Sequence, residues 1–572
     1  MVMNYKNLLF VLVLLNLYHV IVTAVKATPF TEASPTVFGQ DGAKNSKIVA
    51  FADLNFDKKT DIVTLSTADG VLRSLFIGEE GDTTVVSQLL KLNDSHSLSA
   101  VVPADFDGDL FTDFLFIYAT GNEDLHRLKL CYGTASNHYD PCNEIGEMSE
   151  GEPMILDYNG DMLPDIILET PSGNLTLYLS EGSSRNFTSQ FISSSLWGRL
   201  HHPHSSAFVD LNRDLAADIA LTAVDGIFIS INQAGKFKLG QSDAPLCLIG
   251  WPQMKDDDLL GMTTFLDYDS DSYIDAMTTV TTAKGLTTLY ALSGYTISAW
   301  ISSGCPGSKD IEKPTWSALS SNLTDRNTRP YILHNMATCS DCPRNMEVTW
   351  DWLSVTSNIT QTLLFETYND GMLDVIYNSQ YNEFAELRLL DNNVAKQQCF
   401  VSVKVGSGLC EDEDDLSCSK PYPNMVGATV RYESTHADGS PATCASTQLS
   451  QSTNNALQMP YAIFGLGANP NFLDTLSVGV PRKKDYVDWS HVWRTIIPNS
   501  HLMVVPRPPD DPNQWVMHLY VTPSHLVLIT GLVILALCAL LSIIIALLHL
   551  KEKYEDRKLK LQESHKFHFS AM

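Results

Sequence analysis

The residues best placed for chemistry in this 572-residue chain are aspartates that recur in one pattern. Five segments follow D-x-[DN]-x-D-x-x-x-D, with side-chain oxygens at positions 1, 3, 5 and 9. They begin 52, 52, 53 and 57 residues apart, so the pattern is a structural period. We call these segments loops 1 to 5. Their candidate ligands are, in order, Asp53, Asn55, Asp57, Asp61; Asp105, Asp107, Asp109, Asp113; Asp157, Asn159, Asp161, Asp165; Asp210, Asn212, Asp214, Asp218; and Asp267, Asp269, Asp271, Asp275.

The spacing predicts coordination of Ca²⁺. Positions 1, 3 and 5 of a tight turn direct oxygens inward, position 7 offers a backbone carbonyl, and the aspartate at position 9 closes the shell. An EF-hand is excluded because its last carboxylate stands at position 12 between two helices. Two carboxylates about 4 Å apart repel by on the order of 4 kcal/mol at an effective dielectric constant of about 20. A bound cation is therefore expected, and solvated Asx turns without an ion are the alternative.

A sixth, degenerate match runs from Glu366 through Tyr368 and Asp370 to Asp374. Tyr368 replaces a ligand, so this degenerate loop is expected to be a weak or empty site. It begins 99 residues after Asp267, close to twice the period. That distance predicts an unmarked repeat around residues 312–362, with an insertion of similar length as the alternative.

Strands are expected on both sides of each loop, because apolar stretches such as Phe114-Leu-Phe-Ile follow the acidic pattern. Repeats of this length that contain several short strands close into a β-propeller, whereas a linear solenoid needs shorter rungs. Residues 30–400 hold seven such periods. The predicted fold is therefore all-β, with a seven-bladed propeller and six blades as the alternative.

Residues 401–508 differ from the repeats. Gly427-Ala-Thr-Val-Arg-Tyr alternates in the manner of a strand, and Phe464-Gly-Leu-Gly marks a turn before a second strand at Ser477-Val-Gly-Val. We predict a small β-sandwich there.

Both ends of the chain indicate the secretory route. Residues 1–24 have the basic start, apolar run and small final residues of a signal peptide. Residues 526–548 carry no charge and are long enough to cross the roughly 30 Å hydrocarbon layer. Basic residues follow that span, so residues 549–572 are predicted to be a cytoplasmic tail and 509–525 a juxtamembrane linker. The net charge of −28 argues against nucleic-acid binding.

An oxidising compartment predicts disulfides and glycans. Ten of the 11 cysteines precede the apolar span, and Cys131 with Cys142 and Cys410 with Cys418 are close enough for local bridges. The other pairings stay open. Candidate glycosylation sites are Asn93, Asn174, Asn186, Asn322 and Asn358.

Four segments carry family resemblances. Phe51-Ala-Asp-Leu-Asn and Phe265-Leu-Asp-Tyr-Asp-Ser-Asp resemble the FG-GAP repeats of integrin α-subunit propellers, which implies calcium in loops on one face of the ring. Phe464-Gly-Leu-Gly and Asp474-Thr-Leu-Ser-Val are similar to the ASPIC/UnbV module that follows FG-GAP repeats in other extracellular proteins. The chain departs from integrins after residue 400, and its tail lacks their GFFKR sequence.

The order of signal peptide, propeller, sandwich, span and short basic tail resembles the T-cell immunomodulatory protein family, also called linkin. Membership implies a type I glycoprotein of the plasma membrane. It would act on a protein ligand or receptor at cell surfaces, in cell adhesion and T-cell modulation, and shedding of the ectodomain stays open. The sequence has no nucleophile elbow, H-E-x-x-H or P-loop, so a non-enzyme is favoured. A lumenal hydrolase and a secretory-pathway trafficking factor are the alternatives.

Overall fold

The computed structural model describes residues 30–38, 44–66, 68–77, 83–92, 98–122, 125–134, 138–149, 151–202, 205–233, 235–237, 239, 247–303, 305, 313–324, 332–336, 345–349, 353, 359–381, 384–393, 399–409, 423–435, 439–451, 457–467, 472–481, 483, 488–520 and 525–569. The predicted signal peptide, Asn93, Asn358 and the Cys410–Cys418 pair lie outside these residues. The chain divides into two compact units, residues 1–520 and 521–572.

Six four-stranded antiparallel sheets and one hairpin follow one another along residues 30–392 of the described chain. We call them blades 1 to 7. Blade 1 comprises Ser46–Ala52, Asp61–Ser66, Val71–Ile77 and Thr83–Lys91. Blade 2 comprises Leu98–Ala104, Asp113–Ala119, His126–Cys131 and Asn143–Met148, with the small hairpin Gly133–Thr134 and His138–Tyr139. Blade 3 comprises Met154–Leu156, Asp165–Glu169, Leu175–Ser180 and Phe187–Ile192.

The second half of the ring has the same plan. Blade 4 comprises Ala207–Val209, Asp218–Ala223, Gly226–Ser230 and Cys247–Gly250. Blade 5 comprises Leu259–Leu266, Asp275–Thr281, Leu286–Leu292 and Ser317–Thr324, with the helix Gly294–Ser302. Blade 6 is the hairpin Ile332–Met336 and Asn345–Thr349. Blade 7 comprises Ile359–Phe365, Asp374–Tyr381 and Phe384–Asn392.

The N-terminal strand Phe30–Glu32 supplies the fourth strand of blade 7, where it pairs antiparallel with Phe384–Asn392. The first described strand and the last blade are thus joined, which closes the ring. The short helix Ser34–Val37 follows this strand, and the Ser34 hydroxyl accepts a hydrogen bond from Leu389 N–H.

Seven apolar clusters fill the seven junctions between consecutive blades. Alternate residues of one strand enter different clusters: Phe114 and Phe116 of blade 2 pack against blade 1, whereas Leu115 and Ile117 pack against blade 3. Side chains of a strand alternate between the two faces, so a strand buried on both faces is apolar throughout. Blade 6 packs on blade 5 through Met346 and on blade 7 through Ile332, so the unmarked repeat is a member of the ring.

Residues 399–520 form a sandwich of two four-stranded sheets. One sheet has the order Ala462–Gly467, Cys399–Val405, Ser500–Val505, Val516–Tyr520, and the other Pro441–Thr447, Thr429–Thr435, Leu473–Gly479, Ser490–Ile496. Fully buried valines at 401, 403 and 405 of the first sheet meet Val430, Leu476 and Val478 of the second. The predicted sandwich is therefore present.

The sandwich extends beyond residue 508, where the sequence analysis placed a linker. A 3₁₀ turn at Pro512–Gln514 leads into the strand Val516–Tyr520, which pairs with Ser500–Val505, and Trp515 is buried in the sandwich core. The prolines around residue 508 resemble a linker, but they bound a loop that returns the chain to its own sheet. The linker prediction is wrong for residues 509–520.

The second unit contains the helix His525–Phe569. Its segment Thr530–Gln562 is long and apolar enough to cross a membrane, and no other helix among the described residues is. The span predicted at 526–548 falls inside the helix, which continues through most of the predicted tail.

The structure contains the predicted bridge between Cys131 and Cys142 and a second one between Cys247 and Cys305. The second bridge joins the outer strand of blade 4 to the segment after the helix of blade 5. Among the described cysteines, Cys399, Cys444 and Cys538 are not in disulfides.

Candidate metal centres

Every complete loop occupies the same place in its blade. Each begins directly after the first strand ends, and its position 9 is the first residue of the second strand, as at Asp61 of blade 1 and Asp275 of blade 5. The degenerate loop follows the same rule, because Asp374 starts the second strand of blade 7. The prediction that the acidic motif joins two strands is confirmed.

One backbone conformation is shared by all the loops. Positions 4 and 6 of loops 1 to 5 have φ between 62° and 75°, the left-handed region that residues with a side chain rarely adopt. Of these ten positions only Gly108 and Gly160 are glycine, so eight side chains accept the strain. Asn369 and Gly371 of the degenerate loop repeat the pattern. Such strain persists only where the surroundings fix it.

Hydrogen bonds provide that fixing. The Oδ2 atom of each position-9 aspartate accepts the N–H of position 2 at 2.8–3.2 Å. In loops 2 to 5 its Oδ1 atom accepts a second N–H, from Gly133, Ser180, Asn232 or Gly294, at 2.6–2.8 Å. Oδ2 of each position-1 aspartate accepts the N–H of position 6 at 2.8–3.0 Å.

These carboxylates are buried. The position-9 aspartates are 0% exposed, and those at position 1 of loops 2 to 4 are 4% exposed. Burial, followed by repulsion from neighbouring carboxylates, raises the pKa of Asp61, Asp105 and Asp275 to about 8. The same causes raise the pKa of Asp113, Asp157 and Asp218 well above the ordinary value. The loops therefore concentrate acidic groups that a nearby positive charge would stabilise in the ionised form.

Loops 2 and 5 gather their acids most closely. Ligand atoms of Asp105, Asp107 and Asp109 lie within 4.8 Å of one another, and so do those of Asp267, Asp269 and Asp275. In the part of the chain that the structure describes, these are the two groups of at least three acidic, histidine or cysteine side chains that meet so closely. Loops 1, 3 and 4 carry an amide at position 3, and Asn55, Asn159 and Asn212 donate to Asp57, Asp161 and Asp214.

Among the described residues, basic side chains form salt bridges with loops 1 and 2, and neither contact was predicted from the sequence. In loop 2 the Arg185 Nε atom lies 2.7 Å from Asp107 Oδ2, and its Nη1 atom 2.7 Å from Asp140 Oδ2. In loop 1 the Lys404 Nζ atom of the sandwich lies 3.5 Å from Asp53 Oδ2. Both cations are distant in sequence from the acids they meet.

The degenerate loop is completed by neutral and aromatic groups. The Tyr461 hydroxyl donates to Glu366 Oε2 at 3.3 Å, and Gly371 N–H donates to Glu366 Oε1 at 2.7 Å. His501 Nε2 lies 3.1 Å from the Asn369 carbonyl oxygen. Sandwich side chains thus contact positions 1 and 4 of the degenerate loop.

The donor set fits a hard divalent cation. Carboxylate, amide and carbonyl oxygens are the ligands that Ca²⁺ takes. In loop 1 the buried Asp53 Oδ1 atom has no hydrogen-bond partner within the described residues, so it is available to a cation. Loops 2 and 5 offer three close carboxylates each.

Glu169, an acidic residue outside the loops, contacts a histidine. Glu169 Oε2 accepts the Ser149 hydroxyl at 3.1 Å and lies 3.0 Å from His202 Nε2, while Glu169 Oε1 accepts Leu200 N–H. Burial would raise the pKa of Glu169, but these hydrogen bonds outweigh it and lower the pKa.

The described sequons differ in exposure. Asn186 is exposed, whereas Asn174 is half-buried and its Oδ1 atom accepts Ser194 N–H at 3.2 Å. Asn322 belongs to the strand Ser317–Thr324.

The repeated loops, the ring and the sandwich define a class: an FG-GAP-type β-propeller joined to a β-sandwich, with one apolar helix after them. The family model for an FG-GAP-like repeat matches residues 157–221, and the model described as "ITFG1, C2 domain" matches residues 422–520. The second match corrects the prediction of an ASPIC/UnbV-like module. Its last residue, Tyr520, is also the last residue of the sandwich.

The human T-cell immunomodulatory protein is 30% identical to this chain over 92% of both sequences, and the rat protein is equally similar. Protein linkin of Caenorhabditis elegans is 26% identical over 92% of this chain and 95% of its own length. The chain belongs to the T-cell immunomodulatory protein family.

A lectin of Agrocybe aegerita that recognises non-reducing terminal N-acetylglucosamine aligns with a TM-score of 0.35 and 12% identity, over 63% of this chain and 83% of the lectin. The WD40 domain of SCAP from fission yeast aligns with a TM-score of 0.31 and 8% identity, over 61% of this chain and 93% of its own.

Proposed function

We propose that this chain is a calcium-stabilised, single-pass type I glycoprotein of the cell surface. It acts without catalysis, by binding other proteins in cell adhesion and in modulation of T-cell function. The names of its relatives support the interaction role, and the apolar helix supports a membrane anchor. The observation that carries the calcium proposal is the recurrence of one buried acidic loop in five blades of one ring.

The ligands in this proposal are the side-chain oxygens at positions 1, 3, 5 and 9 of loops 1 to 5. Bound Ca²⁺ would supply positive charge that cancels the repulsion among them. The N–H groups described above orient each position-1 and position-9 carboxylate, so the chain holds these oxygens in place without the ion. Because each loop joins the first and second strands of a blade, fixing it fixes the blade.

The test is calcium removal from the purified full chain. A ligand that binds only the folded state stabilises it by mass action, by about 2.7 kcal/mol at a concentration 100 times its Kd. We expect EGTA to lower the melting temperature and readdition of Ca²⁺, but not of K⁺, to restore it. An unchanged melting curve, together with no calcium retained after dialysis, would refute the calcium proposal.

The interaction role needs a separate experiment. The full chain, reconstituted in lipid nanodiscs and crosslinked to intact T cells, is expected to capture a surface protein, and nanodiscs without the chain are the control. Surface biotinylation of cells that express the chain distinguishes the alternative of a trafficking factor, since an internal protein would not be labelled.

A further inference from the structure

The sandwich lies against the face of the propeller that carries loops 1 to 5. Lys404 reaches Asp53 of loop 1, and Ala445 N–H donates to Asp267 Oδ2 of loop 5 at 3.0 Å. The Trp489 Nε1–H group donates to the Asp214 carbonyl of loop 4 at 3.1 Å. Contacts with three complete loops, and those of Tyr461 and His501 with the degenerate loop, spread the interface around the ring.

Apolar side chains extend the same contact. Met162, at position 6 of loop 3, belongs to the core of the sandwich. In return, Val426 of the sandwich packs on the junctions between blades 2, 3 and 4, and Leu449 packs on the junction between blades 4 and 5. The sandwich therefore packs against the apolar junctions between blades as well as against their loops.

A buried glutamine completes the interface. Gln451 is 6% exposed, its Oε1 atom accepts the Phe51 N–H at 2.6 Å, and its Nε2 atom donates to the Phe51 carbonyl. Both backbone groups of Phe51, which lies in the first strand of blade 1 just before loop 1, are thus satisfied by a side chain 400 residues away.

We propose that cation binding by the loops and docking of the sandwich form one coupled equilibrium, so that Ca²⁺ holds the two domains together. This inference rests on the proposed calcium function. The Asp267 Oδ2 atom accepts a sandwich N–H, so a carboxylate that would bind the ion also binds the sandwich. Met162 and Leu215 contact the sandwich from position 6, whose left-handed backbone the loop imposes.

Coupling in this direction follows from charge and geometry. Without a cation the ionised carboxylates of a loop repel one another, which raises the free energy of the loop conformation that presents position 6 to the sandwich. By linkage, a docked sandwich must tighten cation binding by the same factor.

Hydrogen exchange on the full chain in nanodiscs tests the coupling directly. The amides of Phe51 and Ala445 report docking, because each donates across the interface. We expect EGTA to speed their exchange at least tenfold relative to saturating Ca²⁺, with a smaller change for Val403 in the sandwich core. Calorimetry on the same sample measures whether Ca²⁺ binds at all.

A wedge variant tests the reverse direction. A Cβ atom at Gly479 would overlap the carbonyl oxygen of Leu215, so Gly479→Val is expected to separate the domains. Its matched control is Gly465→Val in the same sandwich, where no atom lies within 4 Å of the added Cβ. We expect the wedge to expose Phe51 and Ala445 in saturating Ca²⁺ and to weaken calcium binding about fivefold or more, and the control to do neither.

The outcomes separate the two proposals. A measurable heat of calcium binding without any change in hydrogen exchange at Phe51 and Ala445 would overturn the coupling and leave calcium as a local stabiliser. Absence of a heat of calcium binding would overturn both the coupling and the calcium proposal. If Gly479→Val does not fold, Gln451→Ala removes the two hydrogen bonds to Phe51 without added bulk. Unchanged exchange and unchanged calcium affinity in that variant would also overturn the coupling.

Discussion

At the scale of single residues, the position-9 aspartates fix the conformation of the loops. Each is fully buried, and in loops 2 to 5 each accepts two backbone N–H groups, one from its own loop and one from beyond the third strand or at its end. An amide cannot replace such a carboxylate, because its NH₂ group would face an N–H donor. The motif therefore requires aspartate at position 9 for the backbone as well as for a cation.

Asp275→Asn is the corresponding substitution in loop 5. We expect it to remove one equivalent of bound calcium and to destabilise the fold by about 1–3 kcal/mol, since it leaves the N–H of Tyr268 or Gly294 without an acceptor. Calcium content after dialysis and thermal unfolding measure the two effects. Asp257→Asn, in an exposed turn of the same blade, is the control. Full calcium content in Asp275→Asn would contradict the assignment of loop 5.

The raised pKa values of the buried aspartates predict opposite pH responses with and without calcium. Burial raises the pKa of Asp61, Asp105 and Asp275 to about 8, so in EGTA their contribution to stability is complete below their unfolded pKa and is lost as pH rises through about 8. We expect the melting temperature in EGTA to fall between pH 5 and pH 8.

In saturating Ca²⁺ the same groups must be ionised, so the melting temperature should rise over that interval. Differential scanning calorimetry at both conditions gives two curves that diverge with pH. Parallel curves would mean that protons and calcium do not compete for these carboxylates.

At the scale of strands and blades, local sequence predicted most of what the structure contains. The acidic period located the first loop of each complete blade, because the motif must sit between two strands that are buried on both faces. The gap after Asp267 located blade 6, although only a hairpin of it is described. The bridge between Cys131 and Cys142 followed from short separation, whereas the bridge between Cys247 and Cys305 depends on which blades are neighbours.

Closure of the ring was not predictable from the repeats. Phe30–Glu32 has no motif, and its pairing with blade 7 brings together the two ends of the propeller sequence. Phe30 is 5% exposed and packs with Leu353, Val375 and Leu390. The strand therefore contributes both backbone pairing and core to a blade that begins more than 300 residues later in the chain.

Phe30→Ala tests this closure. A buried phenylalanine truncated to alanine costs about 3–5 kcal/mol, and here it would also loosen the strand that completes blade 7. We expect a lower midpoint in denaturant unfolding and earlier proteolytic cleavage near residue 30. Thr31→Ala, on the exposed side of the same strand, should cost far less. Equal stability of both variants would show that the ring does not depend on this strand.

At the scale of the whole molecule, the sequence predicted the order of domains but not their contact. The acids of loop 1 and Lys404 carry no joint signal, since the lysine belongs to a sandwich strand far from loop 1 in sequence. Nothing local distinguishes Gln451 from any polar loop residue. Such contacts depend on how two folded domains pack against each other. They produce no periodic pattern in a single sequence.

Orientation across the membrane gives the last prediction. The basic residues after the apolar span predict that the chain before it faces the lumen or the cell exterior, where Asn186 can be glycosylated. Asn186 is exposed between the third and fourth strands of blade 3, so its side chain is accessible for glycosylation. We expect Asn186→Gln to remove one glycosidase-sensitive step in electrophoretic mobility. A C-terminal epitope should bind antibody only after permeabilisation of the cells. An unmodified Asn186 with an epitope accessible on intact cells would reverse the topology and place the metal loops in a compartment where free calcium is scarce.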